Sequence, residues 1–154
     1  MKRLEFALLL ALAIAPPLFG QEAAPVDKME MLNAATIKWT DAPDALPKGA
    51  KIAVLYGDPM KEGSYVIRLK LPAGYEIPPH WHTQDENLTI LSGALYLGSG
   101  DKYDINKAHQ LVAGGFHHLP GKAQHYAFTK RATIVEIHGM GPFDIHYLEE
   151  KKKG

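Results

Sequence analysis

His80, His82 and Glu86 bring two imidazoles and a carboxylate into one short stretch, the donor types that first-row transition metals take. Their spacing matters as much as their chemistry. On a helix, residues at i and i+2 point about 200° apart and cannot share an ion; on a strand they share a face. Thr83, Gln84 and Asp85 can turn the chain, so that Glu86 opens the next strand and returns a carboxylate toward the imidazoles. Such a donor set suits Fe, Mn, Zn, Cu or Ni. The chain has no cysteine, which removes thiolate ligands, a thiol nucleophile and a disulfide framework.

Written with its glycines, the segment is Gly74-x5-His80-x-His82-x3-Glu86-x6-Gly93. At this chain's own composition, five such positions coincide by accident on the order of two times in ten thousand over the whole chain. The segment resembles the first motif of the cupin superfamily at every defining position. Downstream, Gly114-x5-Pro120 followed by His125 is similar to the second cupin motif. Two positions depart from it: Lys122 stands where the family usually has Gly, and Thr129 where it often has Asn. The resemblance spans about residues 37–148 and looks like the small single-domain bacterial cupins. It implies an all-β, double-stranded β-helix (jelly-roll) barrel of one domain. It also implies one divalent transition metal inside the barrel, held by His80, His82, Glu86 and His125. Four side chains on an octahedral ion would leave two positions for water, a bidentate ligand or dioxygen, which oxygenase and isomerase chemistry needs.

A general base near those positions would favour catalysis, and His117, His118 and Tyr126 are the candidates. The parity of residues 116–119 is open, because Phe116 and Leu119 compete with the two histidines for the inward positions. Tyr126 and Phe128 read first as barrel core, and His138 as a structural residue at a strand end.

These groups need strands to hold them. Tyr65, Ile67, Leu69 and Leu71 alternate with Val66, Arg68 and Lys70, the period of a half-buried strand. Further strands are expected over residues 52–56, 88–91, 94–97, 116–119, 125–128, 133–138 and 145–148, with Ser92-Gly93 as a hairpin turn. Gly and Pro together number 25 of 154 residues, above average usage, which favours short strands and turns over long helices.

The flanks read differently. Residues 1–20 hold Lys2 and Arg3, an apolar run over 6–15 broken by Pro16-Pro17, and a small residue at Gly20. That is the pattern of a cleaved signal peptide and too short to span a bilayer. Residues 21–35 are expected as a tether or short helix, 36–148 as the barrel and 149–154 as a charged tail. Lys+Arg and Asp+Glu both number 17, so the net charge of zero argues against a nucleic-acid partner. The expected protein is periplasmic or secreted, has no stable membrane span after cleavage, takes a small-molecule ligand and leaves room for a homodimer. Its expected activity is that of a metal-dependent oxygenase or isomerase on a small oxygen-bearing molecule; the alternatives are a non-catalytic module that binds a ligand or senses a metal, and a structural barrel. The expected cleavage is checked by intact mass: protein from an exporting host should start at Gln21, and a full-length mass would overturn the leader.

Overall fold

The computed structural model describes residues 29–148. The expected leader and charged tail lie outside the described residues, as does the part of the expected tether before Met29. A single 3-10 turn at Ala34–Thr36 precedes the strands.

Eleven strands follow among the described residues: β1 (Thr40–Asp41), β2 (Lys51–Tyr56), β3 (Gly63–Leu71), β4 (Glu76–Trp81), β5 (Glu86–Ser92), β6 (Ala94–Ser99), β7 (His109–Val112), β8 (Phe116–Leu119), β9 (His125–Thr129), β10 (Thr133–Gly141) and β11 (His146–Tyr147). They form two antiparallel sheets, ordered β1-β2-β3-β10-β5-β8 and β11-β4-β9-β6-β7. The architecture is all-β, as expected, with a core between the sheets. Tyr65, Ile67, Leu69 and Leu71 point inward from β3 and are buried, as their alternation predicts. Leu88 and Ile90 of β5 and Val135 and Ile137 of β10 meet them from neighbouring strands. Burial of these aliphatic side chains stabilises the barrel by roughly 1.5–3 kcal/mol each against exposure.

Ser92-Gly93 is a turn but not a hairpin. Among the described residues, β5 pairs with β10 and β8, whereas β6 pairs with β9 and β7, so the turn carries the chain from one sheet to the other. Gly93 has φ +81°, and a side chain there would run into the Ala132 carbonyl and Thr133. A Gly turn between two apolar runs signals a reversal; it does not say whether the two strands pair. The strand at His109–Val112 is a further difference from the sequence pattern, and its only described partner is β6 at the edge of its sheet.

β4 contains Pro78 and Pro79, which a central strand cannot accommodate without a break in its ladder. The break is present: the pairing of β4 with β9 shifts register between Ile77 and His80. Ile77 and His80 are consequently both buried although they lie three residues apart. The prolines occupy the irregular stretch, and the parity they restore sends His80 inward.

The two departures from the cupin pattern are both accommodated. Lys122 adopts φ +66°, the left-handed conformation a glycine takes without strain, and its N–H donates to the His82 carbonyl at 2.7 Å. Thr129 is buried; its hydroxyl donates to the Pro72 carbonyl and accepts from the Tyr75 N–H, tying β9 to the loop before β4.

Candidate metal centre

His80 and His125 face each other across the β4–β9 ladder, with ring centroids 4.0 Å apart. His82, just past the end of β4, completes a triangle with centroids 4.9 Å from His80 and 5.1 Å from His125. One ring nitrogen from each of the three lies within 4.8 Å of the others. The rings are 2–4% exposed, so water does not compete freely for these nitrogens.

Which nitrogen faces the centre is set by the backbone. His80 Nδ1 donates to the Pro78 carbonyl at 2.7 Å, His82 Nδ1 to the Asp144 carbonyl at 2.5 Å, and His125 Nδ1 to the Ala123 carbonyl at 3.2 Å. Each bond fixes the proton on Nδ1 and leaves the Nε2 lone pair for a ligand, the usual support of a metal-binding imidazole. His82 Nε2 is a buried polar atom with no hydrogen-bond partner, the state expected of a nitrogen aimed at an ion. The cluster could therefore hold a metal ion.

Glu86 opens β5 and is 5% exposed. Its carboxylate lies 3.8 Å from His82 Nε2 and 3.9 Å from His125 Nε2. A tight turn positions it. Asp85 Oδ1 accepts from the Gly121 N–H at 2.7 Å, clasping the turn after His82 to the turn before His125.

The electrostatics suit a cation. Burial pushes the His80 imidazole down to about 3, with His125 adding to the effect, and burial pushes His125 down to about 4 against the pull of Glu86. Burial alone would raise Glu86. The His117 hydrogen bond and the adjacent His82 and His125 outweigh it and hold the carboxyl at about 2. At neutral pH the site thus presents a buried carboxylate beside uncharged His80 and His125, an arrangement that a divalent cation neutralises.

The three candidate bases separate. His117 pairs with the inward Leu88 across β5–β8, and its Nε2 reaches Glu86 at 3.4 Å. His118 pairs with Asn87 on the outer face and bonds its side chain at 2.9 Å. Tyr126 is buried but not in the cavity: its hydroxyl donates to the Asp104 carbonyl and its ring lies against Gly98 and Tyr103. The structure brings His117 to the site and leaves His118 and Tyr126 out of it. His138 is exposed on β10.

Asp144 and Phe143 carry no motif, and sequence reasoning missed them. Asp144 lies 62 residues beyond His82, which its carbonyl orients, and its carboxylate accepts from the Thr83 N–H at 2.8 Å and from the Thr83 hydroxyl. The Phe143 ring stacks on His82 at 5.2 Å and 24°. The cavity beside the histidines is narrow, about 30 Å³, and is lined mostly by aliphatic side chains such as Leu69, Leu88, Leu97 and Ile137.

The sequence profile of a family described as a domain of unknown function, DUF4437, matches residues 19–146. No curated protein matches the chain. Solved structures do. A candidate acetylacetone dioxygenase from Methylibium petroleiphilum is 17% identical over 84% of this chain and 88% of its own, with a TM-score of 0.64. The polyketide cyclase RemF from Streptomyces resistomycificus is 12% identical over 81% and 89%, with a TM-score of 0.65. An RmlC-like cupin from Ralstonia eutropha is 21% identical over 82% and 76%, with a TM-score of 0.60. At these identities the likeness establishes the fold, which is that of the cupins.

Acid should unfold the metal-stripped protein early, and the sign follows from the histidines. In the unfolded chain an imidazole takes a proton near 6.5, whereas His80 and His125 resist until about 3 and 4. Below 6.5 the unfolded state therefore binds more protons, and stability falls as pH falls. With two such groups the unfolding free energy should drop by up to about 2–3 kcal/mol per pH unit between pH 6 and 5. Urea unfolding of the stripped protein measures this; an unfolding free energy that stays flat from pH 7 to 5 would show that these imidazoles are not buried neutral.

Proposed function

The chain belongs to the DUF4437 family, and because that family's description assigns no reaction, we propose from the site itself that it is a metal-dependent cupin acting on a small oxygen-bearing molecule, as an oxygenase or isomerase. The observation that carries the reading is the convergence of three buried imidazoles whose Nδ1 protons are all committed to backbone carbonyls. His80, His82 and His125 would hold one divalent first-row ion, Fe, Mn, Zn, Cu or Ni, with Glu86 as fourth ligand.

When bound, such an ion supplies Lewis acidity or a route to dioxygen. The chain supplies the rest. Glu86 brings the negative charge that balances the ion. His117 reaches the Glu86 carboxylate from β8 and helps to hold it in place. The aliphatic walls keep bulk water out, which strengthens each electrostatic contact inside. The likeness to a named polyketide cyclase and a candidate dioxygenase supports small-molecule chemistry in a barrel of this shape. No helix among the described residues is long and apolar enough to cross a membrane. The leader-like sequence pattern of residues 1–20 supports export to the periplasm or beyond.

The narrowness of the cavity favours one second reading, a non-catalytic module that captures a small ligand or senses the metal.

Elemental analysis of protein purified without added metal tests the proposal. About one first-row metal per chain is expected. His82→Ala should lower occupancy and melting temperature together, since an ion bound only to the folded chain stabilises it by about 2.7 kcal/mol at a hundred times its Kd. His118→Ala, on the outer face, should change neither. A metal-free wild type that melts no higher after metal addition would overturn the reading.

A further inference from the structure

We propose that Phe143 sets the ligand specificity of the site, its ring capping the cavity over His82 and confining the ion's ligand to a few non-hydrogen atoms. The proposal rests on the metal-site reading above and deepens it by naming the size class of the ligand.

Position is the first support. Of the residues lining the cavity, Leu97, Phe143 and Ile145 are partly exposed and the others are buried. These three side chains are where the lining reaches solvent. Two of them belong to residues 142–148, which close the chain over the histidines. Among the rings around His82 that of Phe143 lies flattest on it, and the Phe143 ring also meets the buried Tyr65 ring at 5.8 Å and 51°. It is a wall between the His82 ring and the exterior.

Rigidity is the second. The Phe143 N–H donates to the Pro59 carbonyl at 2.7 Å. The next residue, Asp144, is held by His82 and Thr83. Then β11 pairs with β4, His146 opposite Trp81 and Tyr147 opposite His80, and the Leu148 N–H donates to the Pro79 carbonyl at 2.9 Å. A segment tied on both sides of Phe143 acts as a fixed aperture, and the free space behind it is what the ion and its ligand share.

That space is small. By the measure on which one water needs roughly 10–15 Å³, the cavity with no ion in it holds about 30 Å³, and an ion on the histidines that line it takes part of that room. The fitting class is compact oxygen-bearing or triatomic species, and planar aromatic chelators are excluded.

Absorbance titration of the cobalt(II)-loaded protein tests this with two probes, azide and 4-nitrocatechol. The wild type should bind azide and bind 4-nitrocatechol weakly or not at all. Phe143→Ala should bind 4-nitrocatechol at least about tenfold more tightly than the wild type while its azide affinity changes less than about threefold, and Phe143→Leu should fall between. Circular dichroism melts accompany each variant, and should Phe143→Ala not fold, Phe143→Leu decides the question. Equal 4-nitrocatechol affinity in wild type and folded variant overturns the aperture, as does an equal gain for both probes, which would mark a general loosening. Cobalt content separates the two readings: a wild type that takes no cobalt removes the metal site and the aperture with it, whereas a loaded wild type without size selection removes the aperture alone.

Discussion

Everything in this barrel is arranged around the cost of burying imidazole nitrogens and a carboxylate in an apolar interior. An unpaired buried polar group costs on the order of 1–3 kcal/mol, and a buried charge more. The chain meets half of that cost internally, by giving each Nδ1 proton to a backbone carbonyl. The other half, the Nε2 lone pairs and the Glu86 charge, is left for an ion. His82 Nε2, buried and without a partner, is where this division is most visible.

The three carbonyls come from three different structural devices. Pro78 offers its carbonyl because the β4 ladder breaks around the prolines. Ala123 offers its own from the turn that Lys122 holds in a left-handed conformation. Asp144 offers its carbonyl from the segment that caps the barrel, anchored in turn by its carboxylate on Thr83. The irregular features of the fold are thus the ones that orient the ligands, and the regular strands supply the walls.

Much of this is legible in the residues. The alternation of β3, the same-face placement of His80 and His82, and the glycine-framed spacing of both motifs lead to the fold and to the histidine cluster. What is not legible depends on contacts far apart in sequence. The parity of residues 116–119 is open in the sequence, and Phe116 is 55% exposed because β8 is an edge strand whose inward places fall to His117 and Leu119. Tyr126 cannot be assigned a face by pattern, since every residue of β9 is buried: one face looks into the cavity and the other is covered by Tyr103 and its neighbours. The role of residues 142–148 leaves no local signal, because it consists of one carbonyl and one ring meeting His82 from across the barrel.

The central claim is that three imidazoles and one carboxylate of this chain form the first coordination shell of a single ion. X-ray absorption at the edge of the bound metal reads that shell directly. The account predicts the multiple-scattering pattern of three imidazoles, reduced to two in His125→Ala and unchanged in count in His117→Ala. In Glu86→Gln the short metal–oxygen distance from the carboxylate should lengthen or disappear. A shell of oxygen atoms without imidazole scattering, or one that His125→Ala leaves intact, would contradict it.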